Sequence, residues 1–444
     1  MPRLSDREDA MADIFTDNYK ETPYWWDLAP HETSDEQVPP AKTDVVIVGS
    51  GNVGMSAALS LSRLGRKTVV LDAQEIGYGA STRNAGYLGR GLGMKYGALT
   101  SAVGRQEAAK LATVAVAAHD YTAALIRAEQ ITCAYRDTGR FLAAPSKKAY
   151  DKLAQDLDMM LEDGVPIDAE MIPRERQHEE IASDIYHGGQ LLRGNGIMHP
   201  GLMHRGLVDR ARSQGADVIG FCPATAVDSQ GSGFVVTTPR GKIETRDVFI
   251  ATNGYTPKAF PWQRRRVIPA SAFMMATETL SPELMAKVQP GGRPLLEACN
   301  TPLWIRPNED GTRVLFGGRT GEDLGSLDRK AEQLYGEMVR VLPDLEGVKL
   351  THSWSGKVAM TFDWLPHTGT HEGIHYAMGW CATGIPMGTY LGHQTALRIV
   401  GDPASVTALD NRPFPTRPFY YGNPWFLRWA IWWLQYQDRT MMKK

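Results

Sequence analysis

Residues 44–54 read DVVIVGSGNVG, and the next apolar run, KTVVLD, ends in Asp72, eighteen residues beyond Gly54. No other stretch restricts the fold as strongly. Val45 to Val48 form a β-branched run of the kind buried on both faces of a parallel sheet. Gly49, Gly51 and Gly54 follow, and Val53, Ala57, Leu61 and Leu64 then recur at helical spacing up to Gly65. The spacing predicts strand, tight turn, helix and strand within about thirty residues. Gly49 permits the turn, Gly51 lets a pyrophosphate approach the main chain, and Gly54 lets the helix pack close to the strand. The helix N-terminus offers N–H groups and partial positive charge to phosphates. Asp72, with Ala73 beside it, stands where ribose hydroxyls would be bound. Such a unit binds an ADP moiety, which NAD and FAD share.

The next segment separates the two cofactors. Residues 73–91 read AQEIGYGASTRNAGYLGRG, where a simple NAD-binding half would continue with a helix and a strand. A glycine-rich loop carrying Ser81, Arg83 and Asn84 suits a phosphate and a flat ring instead. GYGASTRNAG (77–86), GIMHPGLMHRGL (196–207), FIATNGYTP (249–257), LFGGR (315–319), WSGKVAMTFDWLPHTG (354–369) and GWCATGIPMG (379–388) follow in order. With these motifs the chain resembles the D-amino-acid oxidase-like family of FAD-dependent oxidoreductases. Its wording is nearest the γ-glutamylputrescine oxidoreductase, glycine oxidase and sarcosine oxidase branches.

The resemblance implies an α/β protein, α+β overall, with a Rossmann-like FAD-binding domain and a discontinuous antiparallel-sheet substrate domain. The expected division is an extension over 1–42, an FAD domain over 43–144, 196–258 and 351–402, a substrate domain over 145–195 and 259–350, and an aromatic-rich tail over 403–444. Local patterns add helices over 106–130 and 146–164, the latter between Ser146 and Gly164. They also add two strands around Thr138-Gly139, a hairpin turning at Pro239-Arg240-Gly241, and strands at ASAFMMATETL, PLWIRP and TRVLFGGR.

Net charge is −2, so nothing favours nucleic acid as a partner. The four cysteines, Cys133, Cys222, Cys299 and Cys381, form no CxxC pair and no metal-ligand spacing with histidine. No metal site is expected, and this usage suits a reducing cytoplasm. No secretory leader and no membrane span are expected.

The resemblance also assigns residues. Ser81, Arg83, Asn84, Gly86 and Leu88 would contact flavin, Val227 the adenine, and Asn253 and Gly254 the turn closing over the ADP half. Gly384 and Ile385 would offer N–H groups near the pyrimidine end of the ring. Cys381 reads as a small buried thiol, and without a cysteine in WSGKVAMTFDW the FAD is expected to be noncovalent. Candidates for the substrate pocket are Trp304, Arg306, Arg319, Trp354 and His352. Trp304 and Arg306 share a strand face, where an arginine beside an aromatic suits an acid next to an amine. Arg306 reads equally as a surface cation, and His352 as a core histidine. No residue is assigned as the catalytic acid or base.

The implied reaction is hydride loss from a carbon beside an amine nitrogen to the flavin, then imine hydrolysis, on a small amine or amino acid. A secondary or N-substituted amine is favoured. VLFGG lacks the lysine that the sarcosine oxidase branch links to oxygen activation, so the acceptor is oxygen or another carrier. The rival readings are a dehydrogenase feeding quinone, on an amine or a hydroxy acid, and a non-catalytic FAD-binding protein. In the tail, Trp425, Trp429, Trp432 and Trp433 fall on one helical face. Packing on the body or on a second subunit is favoured there over membrane contact, and an oligomer remains open.

Overall fold

The computed structural model describes residues 14–318, 325–410 and 412–442. Two sheets organise the chain. In the first, β2 (Lys42–Val48) lies between β3 (Thr68–Leu71) and β12 (Gly241–Ile250), with β9 (Asp217–Ile219) beyond β3, all parallel. β11 (Gly233–Thr238) and β10 (Ala226–Gln230) extend the other edge as an antiparallel ribbon. β19 (Ile374–Met378) pairs with the end of β12 and with β18 (His367–His371). Val45 to Val48 are all buried, as the β-branched run predicts. Helix α1 (Asn52–Arg63) starts directly after the glycine turn and returns the chain to β3. Helices α2 (Pro200–Ser213) and α3 (Gly384–Val400) pack beside it in one apolar core with Leu59, Leu61, Leu207 and Leu391.

The second sheet runs, in spatial order, β1 (Phe15–Lys20), β17 (Leu350–Met360), β13 (Ile268–Thr277), β16 (Val314–Gly318), β15 (Leu303–Pro307), β14 (Leu295–Glu297), β5 (Arg140–Ala143), β7 (Gly189–Leu192) and β6 (Ala169–Ile172). It is antiparallel except where β1 meets β17 and β14 meets β5. A two-strand link, β4 (Tyr87–Leu88) with β8 (Gly196–Ile197), completes the strands.

Several boundaries differ from the sequence reading. Residues 140–143 and 351–360, expected within the FAD domain, hydrogen-bond into the second sheet. Phe15–Lys20, expected in a polar extension, forms its edge, and Trp25 is wholly buried. The hairpin expected around Thr138-Gly139 does not form. Gln130 and Ala134 take left-handed backbone, which breaks the alternation, and only Arg140–Ala143 continues as strand. The helix with Ser146 as cap runs Lys147–Glu162, and the Ser146 hydroxyl accepts the Ala149 N–H.

Helix α2 starts on His199, whose Nδ1 accepts the Leu202 N–H at 3.0 Å. The ring is buried, and desolvation lowers its pKa from 6.5 to about 4; burial does the same to His31. Between those values the unfolded chain binds the extra protons, so stability is full above about pH 6.5 and falls as pH drops towards 4. His199→Asn keeps a side-chain acceptor at the N-cap and removes the titration. Its melting temperature at pH 8 should match the parent, with a shallower decline in a melting series taken down to pH 5.

Candidate active site

A cleft of about 1330 Å³ runs between the two sheets. One end is built by the glycine turn. Gly49 has φ +109°, and a Cβ there would stand 2.9 Å from the Ala251 carbonyl oxygen. A Cβ on Gly54 would stand 2.0 Å from the Gly49 oxygen, so Gly54 sits beneath the turn and holds α1 against it. Gly51 is the N-cap of α1 and supplies no side-chain acceptor, leaving that helix end open. The Asp72 carboxylate is fixed by the Ser50 N–H at 2.9 Å, by the Ser50 hydroxyl, and by the Gln74 N–H at 3.1 Å. Gly49, Gly51, Asp72 and Ala73 all line the cleft. A positive-φ turn, an open helix N-terminus and a fixed carboxylate fit the ADP half of a dinucleotide.

The 77–91 loop forms the middle of the cleft and is held from outside by indoles. Trp25, Trp26 and Trp354 donate their Nε1–H to the Asn84 carbonyl, the Thr82 hydroxyl and the Arg83 carbonyl, at 2.9, 3.0 and 2.9 Å. The Arg83 guanidinium lies over the rings of Trp26 and Tyr78 at 4.5 and 4.4 Å and donates to the Tyr78 and Ser355 carbonyls. Ser81 Oγ accepts the Asn52 N–H at the start of α1, tying loop to helix. Asn84 bonds back to Ala80, Ser81 and Gly86 within the loop. Ser81, Arg83 and Asn84 line the cleft. So do Asn253, whose amide oxygen accepts the Gly379 N–H, and Gly384 and Ile385 at the first turn of α3.

The far wall is the second sheet. Its strand register sets Gln190, Leu142, Leu296, Trp304, Gly317, Met274 and Trp354 in one row across neighbouring strands. Two residues along lies a parallel row that includes Leu192, Arg140, Arg306, Leu315, Ala276 and His352. Both rows point to the same side. The face is most open towards β5 and β7, where Arg140, Leu142, Gln190 and Leu192 line the cleft, and Leu296, Trp304 and Met274 of the first row also reach it. At the other end Tyr24, Trp25 and Ala85 cover it.

This one-sided covering overturns several assignments. Trp304 lines the cleft. Arg306 shares its face, as the alternation predicts, but lies under the loop and is 0% exposed. Its guanidinium donates to the carbonyls of Ala85, Gly86, Met198 and Pro307, so it is neither a pocket arginine nor a surface one. Trp354 is buried and spends its indole N–H on Arg83. His352 is a core histidine, with Nδ1 on Thr351 Oγ1 at 3.0 Å and Nε2 3.2 Å from Asp27. Gly86 and Leu88 lie behind the loop rather than on the cleft, and Gly254 lies behind its turn. Val227 is on β10, and the cleft is reached instead by Pro223, Ala224 and Thr225, just before that strand begins. Cys381 is buried at the cleft wall. Arg319 lies outside the described residues. Replacing Arg306 by Gln should cost on the order of 3 kcal/mol, because several buried carbonyls lose their donor. A melting curve and the flavin content of the purified protein would measure it.

Two wall residues carry unspent donors. Arg140 Nε and Trp304 Nε1 are shielded from solvent and have no hydrogen-bond partner. Among the described residues Arg140 forms no ion pair. Burial draws its pKa down from the usual arginine value, and the nearby Tyr87 hydroxyl opposes that shift. Arg90 and Arg193, also on the cleft, are committed to Asp120 at 2.8 Å and Glu170 at 2.7 Å. Arg140 escaped the sequence reading because its strand was placed in the other domain. The period-2 pattern of RFLA (140–143) is the signal that could have found it.

Helix α4 (Leu427–Met442) closes one side of the cleft with Leu434 and Met441. Its Asp438 is 3% exposed and accepts the N–H groups of Asn300 and Thr301 and the Thr301 hydroxyl, at 2.9, 2.8 and 2.7 Å. Packing on the body, the favoured reading of the tail, therefore holds for one face of this helix. Among the described residues no helix is long and apolar enough to cross a membrane.

Known proteins share this arrangement. The chain is 28% identical over 388 residues to the γ-glutamylputrescine oxidoreductase of Escherichia coli K12, covering 87% of this chain and 89% of that one. It is 24% identical to the glycine oxidase of Bacillus licheniformis over 81% of this chain and 94% of the relative. The crystal structure of glycine oxidase from Geobacillus kaustophilus superposes with a TM-score of 0.71 at 21% identity, over 85% of this chain and 99% of that one. Residues 44–398 match the family described as DAO, FAD dependent oxidoreductase. The chain is a member of that family and an FAD-dependent oxidoreductase.

Proposed function

We propose that this enzyme oxidises a C–N bond in a small secondary or N-substituted amine that carries an acidic group. The observation behind this reading is the pair of unspent donors on the cleft wall, Arg140 and Trp304. A desolvated guanidinium with no anion beside it is unfavourable until an anion arrives. Its planar fork suits a carboxylate. Leu142, Leu192 and Leu296 flank it with apolar surface, which excludes water and favours the neutral form of an amine. Two relatives are named for acting on glycine and γ-glutamylputrescine, each an amine and a carboxylate in one small molecule.

Gly49, Gly51, Asp72 and Ala73 would hold the ADP half of FAD, with Ser81, Arg83, Asn84, Gly384 and Ile385 along the rest. When bound, FAD supplies the acceptor for the hydride lost from the carbon beside nitrogen. Arg140 binds and orients the acid, Trp304 N–H adds a second donor, and the leucines keep the amine desolvated. The product imine is released to water for hydrolysis.

Anaerobic titration of the purified holoprotein with a panel of amines, amino acids and hydroxy acids tests this. An N-substituted amino acid should bleach the flavin at the lowest concentration. Bleaching by hydroxy acids alone would overturn the proposal. Admitting air afterwards separates oxygen from another acceptor by the speed of recovery.

A further inference from the structure

Helix α4 has two unlike faces. The inner face carries Leu434, Asp438 and Met441, and the buried carboxylate with its three hydrogen bonds fixes which side turns inward. Consequently Trp429, Trp432, Trp433 and Tyr436 are held outward, at 71, 58, 52 and 52% exposure, with Trp425 just upstream at 66%. At 100° per residue the four on the helix fall within an arc of about 100°. Arg428 and Arg439, both exposed, flank one edge of that arc. Phe419 and Tyr421, in the stretch before the helix, are exposed as well, at 80 and 69%. From 412 to 442 the acidic residues amount to Asp438, which is buried.

We propose that this face seats the enzyme on a lipid bilayer containing anionic headgroups. Tryptophan and tyrosine join an apolar ring to a polar N–H or O–H and concentrate where acyl chains meet headgroups. Arginines along the edge of an aromatic stripe complement anionic phosphates. A second copy of the chain fits less well. A twofold contact would set this patch against itself, bringing arginines towards arginines with no exposed acid in the patch to answer them. The helix is about 24 Å long and lies along the body, so it would rest on a membrane and not span it. Its inner face walls the cleft, which places the cleft one helix diameter, about 10–12 Å, from the lipid.

The test is cosedimentation of the flavin-loaded protein with vesicles of phosphatidylcholine, alone or mixed with phosphatidylglycerol, at low and high salt. The mixed vesicles at low salt should carry down most of the protein, and salt should reduce the bound fraction. Trp429→Ser/Trp432→Ser/Trp433→Ser changes only exposed positions. It should lower partitioning by about tenfold or more while flavin content and light-scattering mass stay as in the parent. Arg428→Gln/Arg439→Gln should remove the preference for anionic vesicles and leave weaker binding to neutral ones. Failure of the parent to bind either vesicle overturns the proposal, as does unchanged binding of the tryptophan variant. A parent dimer that the tryptophan variant dissociates, without vesicle binding, assigns the face to a second copy instead.

Discussion

Arg140→Met should raise the concentration of acid-bearing amine needed to bleach the flavin by two to three orders of magnitude while the protein keeps its FAD. The side chain lies on the open end of the second sheet and its Nε has no partner, whereas Arg90 and Arg193 on the cleft already face carboxylates and Arg83 is spent on two carbonyls and two rings. Removing one partner of a buried charged contact costs about 2–5 kcal/mol, and each 1.4 kcal/mol is tenfold in affinity. Arg140→Lys should recover part of the loss, since a lysine restores charge but not the planar fork. Titrations monitored at the flavin band would give the midpoints directly. An unchanged midpoint in the methionine variant would remove Arg140 from substrate binding. Loss of the flavin itself would place Arg140 on the cofactor.

Gly54→Ala should give protein with essentially no bound flavin, although one methyl group is all that is added. That methyl would lie 2.0 Å from the Gly49 oxygen and 3.2 Å from Ile47 Cγ2. The contact is with main chain at the turn, so relief requires α1 to move off β2, and with it the open helix end. The ratio of flavin to protein absorbance measures the result. Gly336→Ala serves as the control. It lies in the helix Leu327–Val341, and nothing stands within 4 Å of its added Cβ. Alanine has the higher helix propensity, so this change should be neutral or slightly stabilising. Asp72→Asn is intermediate. It should keep the fold and hold FAD more weakly, because the amide keeps an oxygen acceptor but loses the charge.

Much of the first sheet was legible because its signals are local. A β-branched run, three glycines at fixed offsets and an acid at the end of the next strand lie within 29 residues, 44–72. Backbone sterics and helix-end electrostatics act over that same range. The second sheet was less legible, since its strands come from three separated stretches of chain, Phe15–Lys20, 140–192 and 268–360. Alternation along LWIRP correctly put Trp304 and Arg306 on one face. It could not say that Trp25 and the 83–86 loop cover one end of that face. Arg306 is therefore a brace for the loop, and Arg140, on a strand expected in the other domain, is a guanidinium on the cleft whose Nε has no partner.

The tail shows the same division. Its heptad-like tryptophan spacing is visible in the sequence and defines a helix with an aromatic side. Which side turns inward depends on Asp438 meeting the main chain of Asn300 and Thr301, more than 130 residues away. By itself, then, the sequence determined the dinucleotide unit, the flavin-loop motifs and the family, all of them properties of short contiguous segments. Tertiary structure decided which residues of each amphipathic face reach the cleft. A strand or helix presents a whole face by its periodicity, but the elements packed across that face determine which part stays open.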